Sequence, residues 1–183
     1  MRRNRSNGLI RVLGIDPGSV VTGYGVIETD GSRSFHLAHG HIRARGNCFA
    51  EKLGHIHQSL GDVIEQWQPQ EAAIEQVFLS NNAMSALKLG QARGAAVTAV
   101  ISQHLSVAEY APRAVKKVVT GSGSANKQQV QTMVRSLLQI SKSLQVDAAD
   151  GLAIAICHAH SRSGSLHQAL PVRKRARGRG LRL

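Results

Sequence analysis

Apolar residues alternate with two different periods along this chain, and the change of period marks its elements. Leu9-Ile10-Arg11-Val12-Leu13-Gly14-Ile15 is a short apolar run that stops at Asp16-Pro17-Gly18, a strong turn signal. Gly23-Tyr24-Gly25-Val26-Ile27-Glu28 and Arg33-Ser34-Phe35-His36-Leu37 flank Asp30-Gly31, the residue pair of a tight hairpin. These three segments predict an antiparallel meander. The period then lengthens: Leu53, Ile56, Leu60, Val63, Ile64 and Trp67 recur at helical spacing until Pro69. A fourth strand is predicted over Glu71–Val77, a helix over 82–104, and a fifth strand over Ser106–Tyr110. Val130, Met133, Val134, Leu137 and Leu138 mark another helix, and an apolar helix begins near Val146. Strands interleaved with helices in this order predict an α/β mixed sheet with helices on its faces.

Composition narrows the class. The chain has 183 residues, 42% of them hydrophobic, which suits one globular domain. No run reaches the ~18 apolar residues of a membrane span, and no apolar segment of signal-peptide length follows the basic start. Cys48 and Cys157 make neither a disulfide framework nor a metal knuckle, which predicts a reduced, cytoplasmic compartment. The paired histidines His55/His57 and His158/His160 are spaced i, i+2, which points them apart on a helix; they are given no metal role.

The net charge is +12, a surplus that points to nucleic acid or an anionic membrane. Its distribution matters more than its size. Three arginines lie in residues 1–7 and six basic residues in 171–183, with no acid in either segment. Between 8 and 75 the balance is −3, and from 76 to 146 it is +7, with Glu109 the one acid there. The expected organisation is a basic extension over 1–8, a folded domain over 9–160, and an Arg-rich disordered tail over 161–183.

Four acids stand out against their apolar surroundings. Asp16 ends the first strand, Glu75 lies in the fourth, and Asp147 and Asp150 share one face of the last helix. A buried unpaired carboxylate is costly, so such groups are paired, hydrogen-bonded or metal-bound. Oxygen-only ligands favour Mg²⁺ or Mn²⁺. Acids from three elements can hold two ions about 4 Å apart, the clamp of phosphodiester hydrolysis. Taken singly, each acid has a plainer explanation: a turn at Asp16, a helix cap at Asp147, a lysine partner for Glu75. Spacing alone does not bring the four together.

Six segments carry a resemblance. They are Leu13–Gly18, Ile74–Phe78, Ala86–Gly94, Val115-Lys116, Gly121–Ala125 with Lys127, and Asp147–Ala155. In this order they resemble the RuvC family of crossover-junction endodeoxyribonucleases, the Holliday-junction resolvases, over roughly residues 9–160. The resemblance implies an RNase H-like fold: a mixed five-stranded sheet whose first three strands form an antiparallel meander, with helices on both faces. It implies a homodimer that nicks opposed strands of a four-way DNA junction, leaving 5′-phosphate and 3′-hydroxyl ends, with RuvA and RuvB as partners. By resemblance Asp16, Glu75, Asp147 and Asp150 are the catalytic acids and hold two Mg²⁺ (or Mn²⁺) ions, and Gln76 helps shape the site. Lys116 and Lys127 fall near the scissile phosphate, although lysines on a solvated helix face need no such role. Phe78 stacks on an unpaired base, where an ordinary aromatic would belong to the core. Gly121-Ser122-Gly123-Ser124 is either a phosphate-facing loop or a plain connection.

Two other classes compete. Gly14–Ser19 also resembles the first phosphate loop of actin-like ATPases, which bind ATP between two related domains, more than 183 residues supply. A basic, non-enzymatic nucleic-acid-binding protein would give the acids no special part. If the terminal arginines add only non-specific affinity, removing 171–183 flattens the salt dependence of DNA binding. Each lost phosphate contact then lowers the log–log slope by about 0.9 while junction preference persists; fluorescence anisotropy over a salt series measures both.

Overall fold

A computed structural model describes residues 8–77 and 82–163. Ten elements follow one another: β1 (Ile10–Asp16), β2 (Val21–Thr29), β3 (Ser34–Arg43), α1 (Phe49–Trp67), β4 (Glu71–Glu75), α2 (Ala83–Ser102), β5 (Val107–Tyr110), α3 (Pro112–Thr120), α4 (Lys127–Leu137) and α5 (Val146–Ser163). The five strands form one sheet in the order β3-β2-β1-β4-β5. β1, β2 and β3 pair antiparallel, as the hairpin chemistry predicts, with Asp30 accepting the Ser32 and Arg33 backbone N–H groups in the turn. β4 and β5 join parallel to β1, each after a helical crossover.

Alternation along β1 assigns the faces. Leu13 and Ile15, with Ala72 and Ile74 of β4, pack against Ile56, Leu60 and Ile64 of α1 and Ala92, Ala96 and Val100 of α2. Val12 and Ala73 point the other way, into a second core built on α3, α4 and α5. The chain thus has three layers, with α1 and α2 below the sheet and α5 above it. α3 and α4 both pack on α5, which is why residues 148, 149 and 151–159 of that helix are all buried.

The helix α3 is not resolved by the sequence periodicity, because nine residues hold too few repeats. Its ends carry readable signals nonetheless. Pro112 occupies the first turn, and Gly121 closes the helix at φ 79, a conformation glycine adopts without penalty. Gly121–Ser124 therefore serves the α3–α4 connection, which ends at Asn126 capping α4.

α5 sits unusually close to the sheet. A Cβ at Gly14 would meet the backbone of Gly151 and Ala155, and a Cβ at Gly25 would meet Leu152. Gly151 in turn faces the backbone of Tyr24 and Gly25. The far end of α5 is fastened by polar contacts. His158, buried, bonds through Nε2 to the Glu71 carboxylate at 2.7 Å, and its Nδ1 lies 2.9 Å from the Tyr110 hydroxyl. Arg162 reaches the same Glu71 oxygen at 3.0 Å. Glu71 opens β4 and Tyr110 closes β5, so this network ties α5 to both parallel strands.

Because backbone rather than a mobile side chain opposes Gly14, an added methyl has nowhere to go. Gly14→Ala is expected to destabilise the protein by about 3 kcal/mol through overpacking. Urea denaturation of the purified variant reads the shift.

Candidate active site

Asp16 and Glu75 stand at the C-terminal ends of neighbouring parallel strands. The register pairs Gly14 with Ala73 and Ile15 with Ile74, so the next step along both strands brings the two acids side by side. Side chains two apart share a face, which places Asp16 with Val12, and Glu75 with Ala73, on the side covered by α5. Asp150 lies in the second turn of α5 and lines a pocket of about 340 Å³ with Asp16 and Glu75. Lys116 of α3 and Lys127 of α4 line the same pocket.

Asp147 occupies the first turn of the helix, where the macrodipole favours an anion. It stands inside the helix, and its backbone carbonyl faces Gly23 of β2. It does not line the pocket, yet its charge acts on both Asp16 and Asp150. The tertiary structure therefore gathers Asp16, Glu75, Asp150, Lys116 and Lys127 about one cavity, with Asp147 at its margin. Phe78 lies outside the described residues. Gln76 contributes its backbone N–H to Tyr110, closing the β4–β5 ladder.

The electrostatics follow from burial. Asp16 is pushed up from 3.8 to about 7, first by desolvation, then by the charges of Glu75 and Asp150, against a smaller opposing pull from Lys127. Burial and Asp150 raise Glu75 from 4.5 to about 7, while Lys127 and Lys116 oppose the rise. Asp150 is also raised, chiefly by burial, despite Lys127 standing 3.5 Å from its carboxylate. That contact is long and the Lys127 side chain is 72% exposed, so the lysine compensates the cluster only in part.

A cluster of carboxylates short of positive charge is chemically suited to divalent cations. The donors are all oxygen, which fits Mg²⁺ or Mn²⁺. Among the described residues, no three acidic, histidine or cysteine side chains converge tightly enough to cage an ion as they stand. The donor chemistry fits a divalent cation, while the side chains as they stand do not enclose one.

A mixed five-stranded sheet in the order β3-β2-β1-β4-β5, with helices on both faces, is the architecture of RNase H-like nucleases. The chain belongs to the RuvC family: the family model described as crossover junction endodeoxyribonuclease RuvC matches residues 12–158. A curated relative of that name from Psychromonas ingrahamii is 51% identical over 168 residues, covering 92% of this chain and 97% of the relative. A solved structure described as T. thermophilus RuvC in complex with Holliday junction substrate superposes with TM-score 0.82 at 30% identity, over 88% of this chain and 99% of that one. The yeast mitochondrial Holliday junction resolvase Ydc2 shares the fold, with TM-score 0.59 at 12% identity over 83% of this chain and 80% of that one. As a family member the chain is an endodeoxyribonuclease, which leaves neither an actin-like ATPase nor a non-enzymatic binder as a reading. No helix among the described residues is long and apolar enough to cross a membrane.

Sequence reasoning missed the Glu71–His158–Tyr110–Arg162 network. Its one signal was a histidine directly after the apolar run Leu152–Cys157, and its partners lie 87 and 48 residues away.

Raised carboxylate pKa values carry a stability consequence. The folded state holds protons on Asp16 and Glu75 up to about pH 7, whereas the unfolded chain releases them near its ordinary values of 3.8 and 4.5. The folded state thus binds more protons between these limits, and metal-free stability falls as pH rises from about 4 to about 7. Melting temperatures in chelator across that range are expected to show the decline, and Asp16→Asn is expected to flatten it.

Proposed function

We propose that this protein cuts four-way (Holliday) DNA junctions by paired, symmetric nicks, with Asp16, Glu75, Asp147 and Asp150 as its catalytic acids. The observation that carries the reading is the meeting of Asp16, Glu75 and Asp150 with Lys116 and Lys127 in one pocket. Family membership and the likeness to a relative in complex with a Holliday junction substrate support it.

The acids divide the work by position. Asp16, flanked by Glu75 on the sheet and Asp150 on the helix, occupies the centre and faces the reacting phosphate. Glu75, Asp147 and Asp150 complete the oxygen donor set around it. These four residues would hold two Mg²⁺ ions, which when bound supply charge to the attacked phosphate and lower the pKa of water. Lys116 and Lys127 offer positive charge to a DNA backbone that the acids alone would repel. Phe78, by resemblance, stacks on a base unpaired at the junction centre.

The nuclease unit, expected over 9–160, includes the last turn of α5 to Ser163, and the basic segments at either side contribute affinity for DNA generally. A homodimer presents two such sites to opposed strands, leaving 5′-phosphate and 3′-hydroxyl ends that a ligase can seal. The cytoplasmic setting in recombination and repair, with RuvA and RuvB, follows from the resemblance.

The test is incubation of the protein with a synthetic four-way junction and with a linear duplex, each with and without Mg²⁺. Symmetric nicks confined to the junction and to the Mg²⁺ samples are expected. Asp16→Asn is expected to retain junction binding in gel-shift assays while nicking falls below detection. Cleavage of the linear duplex at the same rate, or full nicking by Asp16→Asn, overturns the reading.

A further inference from the structure

A cavity larger than the acid pocket, about 830 Å³, lies at the opposite pole of the molecule. β1 separates the two. Asp16 pairs with Gly23 at one end of the β1–β2 ladder and Ile10 with Thr29 at the other, about 20 Å away. The β2–β3 turn follows Thr29 and supplies Ser32, Arg33 and Ser34 to the cavity wall. The facing wall is the segment after α4, including Ile140 and Lys142, and Ile156 and His160 come from the C-terminal half of α5.

The strand wall is shaped by a bulge. The β2–β3 register steps from Val26–Ala38 to Ile27–His36, so Leu37 is the extra residue. In a regular strand residues three apart point to opposite faces; the bulge brings His36 and His39 to the same one. There they face the layer of α5, opposite Ile27 and Gly25, with ring nitrogens 2.7 Å apart. The facing wall is set by a helix end of the Schellman type. Gln139 takes φ 53, and the Ile140 N–H bonds the Arg135 carbonyl at 2.9 Å, which turns Ile140 and Lys142 toward the strand.

The chemistry of this cleft is one-signed and half apolar. Arg33 and Lys142 are its fixed charges, His36, His39 and His160 line it as hydrogen-bonding rings, and no acid lines it. The nearby Asp30 carboxylate, bound by the turn N–H groups and the Ser32 hydroxyl, keeps its charge and faces Arg33 but lies outside the cleft lining. Phe35 and Leu137 at the wall are 50% and 43% exposed, large apolar surfaces left in water. β3 is also an edge strand, bounded by β2 on one side alone.

We infer that the cleft between the β2–β3 hairpin and the α4–α5 connection docks an acidic peptide segment of another protein, its large apolar side chains against Phe35 and Leu137 and its carboxylates against Arg33 and Lys142. A peptide running beside β3 adds a strand to the sheet edge, a recurrent mode of segment recognition. The chain's own residues 164–183 are excluded as occupant by charge, since they carry six basic residues and no acid. A DNA backbone fits less well: two fixed cations give little phosphate affinity, and DNA leaves Phe35 and Leu137 uncovered. The location leaves the acid pocket at the other pole accessible while the segment is bound.

The probe is a fluorescein-labelled peptide of alternating aspartate and leucine ending in phenylalanine, titrated with the full chain and read by anisotropy. Binding is expected, with Arg33→Glu and Lys142→Glu each weakening it about tenfold. Phe35→Ala is expected to weaken it as well, and replacing the peptide's aspartates by lysines abolishes it. Melting temperature and junction nicking are expected to stay unchanged in these variants. NMR shift changes confined to residues 32–39 and 137–142 on peptide addition place the contact. Absence of binding, binding indifferent to Lys142→Glu and Phe35→Ala, or loss of linear-duplex affinity rather than peptide affinity in the charge reversals overturns the inference.

Discussion

The contact of α5 with the sheet governs this molecule. Gly14 and Gly25 on the strands and Gly151 on the helix remove the side chains that would hold the two layers at ordinary spacing. Helix backbone then rests against strand backbone, and the first two turns of α5 lie beside the C-terminal end of β1. Asp150 reaches Asp16 and Glu75 for that reason. At the other end, His158 and Arg162 bind Glu71, and His158 meets Tyr110, so the helix is fixed near its start against β1 and β2 and at its far end against β4 and β5. A site assembled from two layers is only as well defined as the spacing between them.

That spacing also sets the electrostatic state of the acids. Bringing three carboxylates into a partly buried pocket raises Asp16 and Glu75 to about 7, and the nearest cation, Lys127, stands at 3.5 Å with most of its side chain in water. Stability is given up locally where these carboxylates are concentrated, the mark of a functional site rather than of a packed core. The same economy explains the division of basic residues. Arg93 is held by Glu109 at 2.6 Å, within the fold, whereas Lys116 and Lys127 face the pocket. The basic surplus of the middle segment is therefore divided between an ion pair within the fold and the lining of the acid pocket.

The two poles of the molecule are built by opposite means. At the acid pole, regular register and close packing converge side chains from β1, β4 and α5. At the other, irregularities do the shaping: the bulge at Leu37 and the left-handed Gln139 depart from the repeating pattern and open a cleft between them. Bulges of this kind re-aim side chains rather than merely interrupting a ladder.

Much of this was legible along the chain. Alternating periods placed the meander, the crossover helices and the apolar final helix, because each element buries one face and the period records it. The four acids were legible as exceptions, charged residues in apolar runs. The short α3 was missed because nine residues record too few turns, and the Glu71–His158–Tyr110 network because its members are neighbours only in space. The sequence by itself determined which residues are strand, helix and candidate acid, since those depend on local propensity and on spacing. Only the tertiary structure decided that Asp16 and Glu75 adjoin, that Asp150 lines their pocket while Asp147 stands at its margin, and that Lys116 and Lys127 complete it. Those facts depend on the parallel register of β1 with β4 and on the height of α5 above the sheet, and both are set by contacts between residues far apart in the chain.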